Sequence, residues 1–294
     1  MSTIPTLTLN DGIKIPKIGY GLGTANYGSE CASHVVSALK TGYNYMDCAQ
    51  MYANSKSFGQ GFETFGGKRE DVFVVQKCNL GGKTGTESHP RKILEGLLKD
   101  MKTDYVDLYL LHSPLLTKPL SLSEAWKVME ELKEEGLARS IGVSNFREED
   151  ILEIEKTWKV APSVNQIEYH PYNFHAPNVQ RLLGVMKKHS IHVEAYGPLT
   201  SLTGAKGGPV DEVVQEIAKS KGVEESQVLL NWALQTTGGV VVTTSTNEQR
   251  QKLQLEAVTK DITLTEDEIN RISEAGKKKF FRYRMTDVWD AAKP

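Results

Sequence analysis

The chain has 294 residues, and its 35 lysines and arginines nearly balance its 37 aspartates and glutamates, which gives no overall attraction to nucleic acid or to an anionic membrane. No apolar run reaches the roughly 18–20 residues that cross a bilayer, and the amino-terminal stretch shows neither the basic nor the apolar region of a signal peptide. The three cysteines are scattered and form no CxxC pair, so we expect a cytoplasmic protein without a disulfide framework or a metal site.

The first predicted element is a β-hairpin at residues 6–16, where Asn10-Asp11-Gly12 supplies the turn between two alternating arms. After it, short apolar runs alternate with stretches of helical spacing. The predicted strands are 18–21, 43–47, 72–77, 106–112, 140–143, 164–168, 192–196 and 240–243. The predicted helices are 31–40, 56–65, 90–101, 123–135, 148–157, 178–189, 211–221, 225–237 and 247–257, followed by one that opens at a capping box formed by Thr265 and Glu268.

Eight βα units after a hairpin predict the fold class. Strands that alternate with helices form parallel sheets, and eight of them in about 250 residues predict an α/β protein with a closed (β/α)8 TIM barrel. An open, doubly wound sheet is the alternative. No linker rich in proline, glycine or serine divides the chain, so we expect a single domain over residues 1–294. In a barrel, catalytic side chains belong at the carboxyl ends of the strands.

Three successive strand ends deliver side chains that together suit proton transfer to a carbonyl oxygen. Asp47 ends one strand and Tyr52 follows it, Lys77 ends the next, and His112 ends the third. A phenol has a pKa of about 10, and a nearby ammonium favours the phenolate, so we expect Lys77 to lower the pKa of Tyr52. Asp47 would keep the lysine charged, and a neutral His112 would orient the carbonyl. Each residue alone is more often structural, but their coincidence at strand ends favours a catalytic site.

A hydride acceptor or donor has to come from a cofactor, because no side chain supplies one. The best match to the GxGxxG dinucleotide fingerprint is Gly19-Tyr20-Gly21-Leu22-Gly23-Thr24, which lacks the last glycine. It therefore fails as a Rossmann signature, and any nicotinamide cofactor must be bound in another way.

Motifs along nearly the whole chain resemble those of the aldo-keto reductase superfamily. They are Gly21-Leu22-Gly23-Thr24, Asp47 with Tyr52, Lys77, Leu111-His112-Ser113-Pro114, Gly142-Val143-Ser144-Asn145-Phe146, Asn165-Gln166-Ile167-Glu168-Tyr169-His170-Pro171 and Glu194-Ala195-Tyr196-Gly197-Pro198-Leu199. The set is most similar to the fungal branch that reduces α-keto amides, ketolactones and conjugated polyketones. The resemblance implies that Tyr52 is the general acid, that Lys77 and Asp47 tune it, and that His112 orients the carbonyl.

The same resemblance implies an NADPH site. Its implied contacts are Gly23, Thr24, Asp47, Ser144, Asn145, Gln166, Tyr196, Leu199, Ser201, Thr243, Thr244, Ser245, Thr246, Arg250 and Gln254. The family usually has a Pro-Lys-Ser run followed by an arginine at the 2′-phosphate, whereas here Thr244 stands in the lysine's place and Arg250 is kept. An arginine and hydroxyl donors suit a phosphate, so we expect NADPH, with NADH as a weaker alternative.

The implied substrate pocket is less aromatic than in many family members. Besides Tyr52 and His112, its expected residues are Ala25, Tyr27, Ser113 and Trp289. A more polar wall should suit small dicarbonyl substrates better than steroids. The basic and aromatic tail, residues 277–289, is expected to form a loop over the barrel mouth and not a nucleic-acid patch, because the rest of the surface is not basic.

Two classes of function remain from the sequence. The first is a monomeric NADPH-dependent carbonyl reductase whose partner is a small-molecule carbonyl substrate. The second is a non-catalytic NADPH-binding structural or channel-associated subunit, since this fold is also used for such proteins. No extra segment and no altered catalytic residue favours the second class.

Overall fold

Eight parallel strands close into a barrel in the computed structural model, which describes residues 3–80, 89–115 and 120–290. An antiparallel hairpin of two strands, β1 and β2, precedes it. The strands are β1 (Thr6–Thr8), β2 (Lys14–Pro16), β3 (Ile18–Gly21), β4 (Tyr45–Asp47), β5 (Phe73–Cys78), β6 (Val106–Leu111), β7 (Ala138–Ser144), β8 (Val164–Glu168), β9 (His192–Tyr196) and β10 (Val240–Thr243). The barrel closes where β10 pairs with β3. The predicted TIM barrel with an N-terminal hairpin is confirmed, and the open sheet is excluded.

Helices follow the barrel strands in turn. They are α1 (Ala32–Thr41), α2 (Ser55–Phe65), α3 (Pro90–Met101), α4 (Leu122–Glu134), α5 (Glu148–Glu155), α6 (Pro177–Lys188), α7 (Thr200–Thr203), α8 (Val210–Lys221), α9 (Glu225–Thr237), α10 (Glu248–Thr259), α11 (Glu266–Lys277) and α12 (Thr286–Trp289). The sequence pattern missed α7 and α12, because one turn of helix carries no periodicity. Among the described residues, no helix has the length and apolarity to cross a membrane.

The apolar core has two parts, one inside the barrel and one between the barrel and the helices. The inner part consists of Tyr45, Phe73, Val75, Leu108, Leu110, Val164, Val240 and Val242, together with Leu9 and Ile15 of the hairpin segment. Several of these side chains come from the first residues of their strands, so the hairpin closes the amino-terminal end of the barrel. Burying a side chain such as Ile15 contributes about 1.5–3 kcal/mol to stability.

Alternation along the strands decides which side chains reach the barrel interior. Val75 lies in the inner cluster, whereas Cys48 and Cys78 lie in the outer one. Because neighbours on a strand point to opposite faces, Asp47 and Lys77 face inward. Cys48 and Cys78 therefore pack toward the helices.

Candidate active site

The side chains of Asp47, Lys77 and Tyr52 meet at the carboxyl end of the barrel. Lys77 is fully buried, and its Nζ donates to Asp47 Oδ1 at 2.6 Å and to the Cys48 carbonyl at 2.9 Å. The same ammonium approaches the Tyr52 hydroxyl oxygen at 3.3 Å. Both the carboxylate and the phenol oxygen therefore accept from one buried cation, and the phenol proton remains free to be donated elsewhere.

The position of Tyr52 depends on a close approach to Gly23. Tyr52 ends a 3-10 turn, Gln50–Tyr52, directly after β4. A Cβ atom on Gly23 would lie 2.5 Å from Tyr52 Cζ and 2.8 Å from its hydroxyl oxygen. Only glycine leaves room for the phenol there. The His112 ring packs edge-on against Tyr52, with 5.8 Å between ring centroids, so all four predicted catalytic residues lie together.

The protonation states of these groups follow from burial and from the Lys77 charge. Burial raises the pKa of Tyr52 to about 12, although the Lys77 ammonium opposes this increase. The expected net decrease is therefore wrong: the lysine acts in the expected direction, but desolvation of the phenolate is larger. Burial, helped by Lys77, lowers the pKa of His112 to about 3, so this ring is neutral. Burial lowers the pKa of Lys77, but Asp47, with smaller contributions from Tyr52 and Glu194, outweighs burial and raises the pKa overall.

A second set of polar side chains continues from these four. Tyr196 donates its hydroxyl to Asn145 Oδ1 at 2.8 Å, and Asn145 Nδ2 donates to the His112 carbonyl at 2.9 Å. Asn145 adopts a left-handed backbone with φ of +59°, which asparagine tolerates better than most residues. Ser144 donates to the Gln166 carbonyl at 2.9 Å. These four predicted cofactor contacts thus form one connected wall beside the Tyr52 site.

Three predicted cofactor residues carry buried polar atoms that have no partner among the described residues. These atoms are Ser201 Oγ, Thr244 Oγ1 and Gln254 Oε1. Leaving such an atom unpaired costs about 1–3 kcal/mol, which a polar ligand can offset. Ser201 lies in α7, Thr244 directly follows β10, and Gln254 lies in α10. Their donor and acceptor chemistry fits the ribose and phosphate groups of a dinucleotide that extends outward from the barrel mouth.

The remaining predicted contacts lie around these atoms. Arg250 donates from Nε to Ser245 Oγ at 3.2 Å, and the side chains of Arg250 and Thr246 are exposed. Thr243 ends β10 and is buried, and Leu199 precedes α7. The arginine fork is therefore held by a neighbouring hydroxyl at the surface, where a phosphate can reach it.

The predicted substrate residues divide into two groups. Tyr27 is exposed and its ring centroid lies 6.1 Å from that of Tyr52, while Thr24 and Ala25 beside it are also exposed. Ser113 is buried directly after His112. Trp289 is also buried, because its ring lies under the Arg282 guanidinium, whose carbon is 4.8 Å from the ring centroid.

The carboxyl-terminal segment lies over the barrel mouth through a contact that the sequence did not indicate. The buried carboxylate of Glu168, at the end of β8, accepts from the backbone N–H groups of Tyr283 at 2.8 Å and Arg284 at 2.7 Å. His170 Nε2 lies 2.8 Å from the same carboxylate. Tyr283 is 56% exposed. Phe280 of the same segment is 54% exposed, so the tail leaves two aromatic rings accessible.

Glu194 and Tyr45 lie below the predicted site and were also missed. Both are fully buried in the barrel, and the Tyr45 hydroxyl donates to Glu194. An acidic residue between Val193 and Ala195, two positions before Tyr196, was a usable signal, since period two places the side chains of Glu194 and Tyr196 inside the barrel.

The fold is a (β/α)8 barrel with a polar wall at its strand ends, and solved structures of the same fold match it. The Bombyx mori aldo-keto reductase in complex with NADP matches with a TM-score of 0.83 and 30% identity, over 99% of this chain and 98% of that one. An aldo/keto reductase from Brucella melitensis matches with a TM-score of 0.80 and 36% identity, over 93% of this chain and 100% of that one.

Sequence relatives agree with this match. The NADPH-dependent alpha-keto amide reductase of Saccharomyces cerevisiae is 37% identical over 289 residues, which cover 92% of this chain and 90% of that protein. The NAD/NADP-dependent indole-3-acetaldehyde reductase of Schizosaccharomyces pombe is 36% identical over 250 residues, covering 82% and 85%. The family model described as "Aldo/keto reductase family" matches residues 17–277. The chain belongs to the aldo/keto reductase family, which confirms the resemblance of its motifs.

Proposed function

We propose that this protein is an NADPH-dependent carbonyl reductase in which Tyr52 is the general acid. The observation that carries the proposal is the approach of the Lys77 ammonium to the Tyr52 hydroxyl oxygen at 3.3 Å. This contact leaves the phenol proton directed to another acceptor. The relatives named as reductases of an aldehyde and of α-keto amides support the reaction class.

The proposed chemistry needs one proton and one hydride. NADPH, when bound, supplies the hydride to the carbonyl carbon. Tyr52 donates its proton to the carbonyl oxygen, and Lys77 stabilises the phenolate that remains. A pKa of about 12 keeps Tyr52 protonated before the reaction, and an alkoxide is a stronger base than a phenolate, so the proton still moves in the required direction.

His112 and the adjoining wall hold the reactants in place. A neutral imidazole can donate a hydrogen bond to the carbonyl oxygen without adding a charge next to Lys77. Ser144, Asn145 and Gln166 would hold the carboxamide of the nicotinamide, and the Tyr196 ring would stack on it. The unpaired atoms of Ser201, Thr244 and Gln254 would be satisfied by the rest of the cofactor.

We expect Thr244→Lys to increase the preference for NADPH over NADH at least about tenfold. An ammonium added near Arg250 would make a charge-assisted contact to the 2′-phosphate, and such contacts contribute about 1.5–3 kcal/mol. The measurement is the ratio of kcat/KM for the two cofactors. Thr244→Ser is the matched control, because it keeps the hydroxyl and adds no charge. An unchanged ratio in Thr244→Lys would show that the phosphate binds elsewhere.

We propose small dicarbonyls as substrates: α-keto esters, ketolactones and α-keto amides. The described part of the mouth presents Tyr27 and Tyr283, while the indole rings of Trp126, Trp232 and Trp289 are buried. Each missing aromatic contact removes about 0.5–1.5 kcal/mol from the binding of a large apolar ligand. We therefore expect kcat/KM for an α-keto ester to exceed that for a steroid ketone about tenfold or more. A steroid that is reduced faster would contradict this substrate class.

A direct assay separates the proposed reductase from a non-catalytic subunit of the same fold. A reductase oxidises NADPH when an α-keto ester is added, whereas a binding protein leaves the cofactor absorbance unchanged.

We also propose a cytoplasmic monomer. Cys31, Cys48 and Cys78 are buried and unpaired, which suits a reducing compartment. Sedimentation at micromolar concentration would reveal a dimer if the monomer proposal is wrong.

A further inference from the structure

Glu194 occupies a position inside the barrel directly below the proposed active site. It lies on β9, paired in register with Gln166 on β8 and two residues before Tyr196. Its side chain is fully buried. Burying a carboxyl group there costs free energy of folding unless the group is hydrogen-bonded or its charge is paired.

The carboxyl group of Glu194 joins two strands on opposite sides of the barrel interior. Its Oε1 accepts from the Tyr45 hydroxyl and from Gln166 Nε2. Tyr45 reaches it across the space left by Gly19, where a Cβ atom would lie 2.7 Å from the Tyr45 ring. The other oxygen, Oε2, has no partner among the described residues.

This contact fixes which way the Gln166 amide points. Gln166 Nε2 also donates to Asp47 Oδ2 at 2.8 Å, so both hydrogens of the amide nitrogen face carboxyl groups. An amide oxygen in that position would be repelled by the Asp47 carboxylate. The Gln166 oxygen is thus turned away from Asp47 and Glu194.

The charges around Glu194 connect it to the proton donor. It faces Tyr45 and Asp47 on β4, Lys77 on β5 and the uncharged Gln166 on β8. Burial first, and the Asp47 charge second, raise the pKa of Glu194 to about 7. In return, the Glu194 charge contributes to the raised pKa of Lys77. Near neutral pH a second negative charge can therefore form below the Asp47–Lys77 pair.

We propose that Glu194 is a positioning residue of the reductase site, which holds the Gln166 amide with its oxygen toward the cofactor and steadies Asp47 through the same amide. The inference rests on the proposed function, because the role of Glu194 requires that Gln166 binds the cofactor. Glu194 itself touches neither substrate nor cofactor.

Three variants test the role of Glu194. Glu194→Leu removes the acceptor, Glu194→Gln keeps an acceptor oxygen without the charge, and Tyr45→Phe removes the other donor while leaving Gln166 in place. NADPH affinity is measured by quenching of tryptophan fluorescence, alongside thermal unfolding and kcat/KM. We expect Glu194→Leu to weaken NADPH binding about tenfold, the effect of one lost, oriented hydrogen bond. Glu194→Gln and Tyr45→Phe should stay within about threefold of wild type.

The pH dependence of unfolding gives a readout that needs no activity. A glutamate titrates near pH 4.3 when unfolded and near 7 in the folded protein, so its stabilising effect is complete below about pH 4.3 and is lost as the pH rises through 7. Relative to Glu194→Gln, the unfolding equilibrium constant of wild type should rise at least about tenfold between pH 5 and 7.5.

Several outcomes would overturn the role of Glu194. If Glu194→Leu loses thermal stability but binds NADPH like wild type, Glu194 is only structural. If Glu194→Leu does not fold, Glu194→Gln decides: a loss of NADPH affinity well beyond threefold, although the acceptor oxygen is kept, contradicts the inference. A wild type that neither binds NADPH nor oxidises it with an α-keto ester would overturn the proposed function, and the inference with it. If wild type reduces the α-keto ester and Glu194→Leu binds NADPH and turns over as well as wild type does, the inference is overturned but the proposed function stands.

Discussion

Tyr52→Phe is expected to lower kcat at least about a hundredfold, because a positioned general acid contributes about 10²–10⁴ to the rate. The change removes one oxygen, whose only hydrogen bond among the described residues comes from Lys77. The phenylalanine ring fits the same space beside Gly23. NADPH affinity should therefore stay within about threefold of wild type, since the hydroxyl is not among the groups proposed to hold the cofactor.

A second tyrosine provides a matched control. Tyr105→Phe removes a hydroxyl from a ring held between the guanidinium groups of Arg69 and Arg139, at centroid distances of 4.2 and 3.9 Å. Because Tyr105 precedes β6, it lies at the opposite end of the barrel. This variant should retain wild-type kcat. If Tyr52→Phe does so as well, Tyr52 is not the proton donor.

Lys77→Met should both destabilise the fold and remove turnover. Lys77 and Asp47 form a buried ion pair with a 2.6 Å contact, and losing one partner leaves an uncompensated charge that costs about 3–5 kcal/mol. Without the ammonium, the Tyr52 phenolate loses its hydrogen-bond donor among the described residues, so kcat should fall at least about a hundredfold. Urea unfolding and steady-state kinetics measure the two effects separately.

The double variant Asp47→Asn/Lys77→Met separates stability from chemistry. Removing the second charge should restore part of the stability lost in Lys77→Met, because the Asp47 carboxylate is then no longer left buried without its partner. Turnover should remain at the level of the single variant. Recovery of turnover in the double variant would show that Lys77 acts only on the fold.

The sequence was sufficient to predict the barrel and the positions of the four central residues. Strands that alternate with helices form a parallel sheet, and parallel strands present their carboxyl ends at the same edge. Asp47 ends β4, Lys77 is the last residue but one of β5, and His112 directly follows β6. Period two then places these side chains inside the barrel. Local sequence patterns indicate both the strand ends and the inward-facing positions, so these two features could be predicted without tertiary information.

Properties that depend on packing between distant strands could not be predicted. The net pKa shift of Tyr52 depends on how much water the folded mouth excludes, which no motif records. The contact between Tyr45 and Glu194 requires the space at Gly19 on a third strand. The burial of Trp289 depends on Arg282 and on the path of the tail, which the Glu168 carboxylate holds. Each of these features joins residues that are far apart in the chain.

The most direct test of the proposed reaction follows the transferred hydride. Wild-type protein is supplied with NADPH that carries deuterium at the transferable position of the nicotinamide ring, together with an α-keto ester, and the product is analysed by mass spectrometry. The account predicts an α-hydroxy ester with one deuterium on the new carbinol carbon, formed by wild type and not at a comparable rate by Tyr52→Phe. An alcohol without deuterium, or equal rates of labelled product from both proteins, would contradict it.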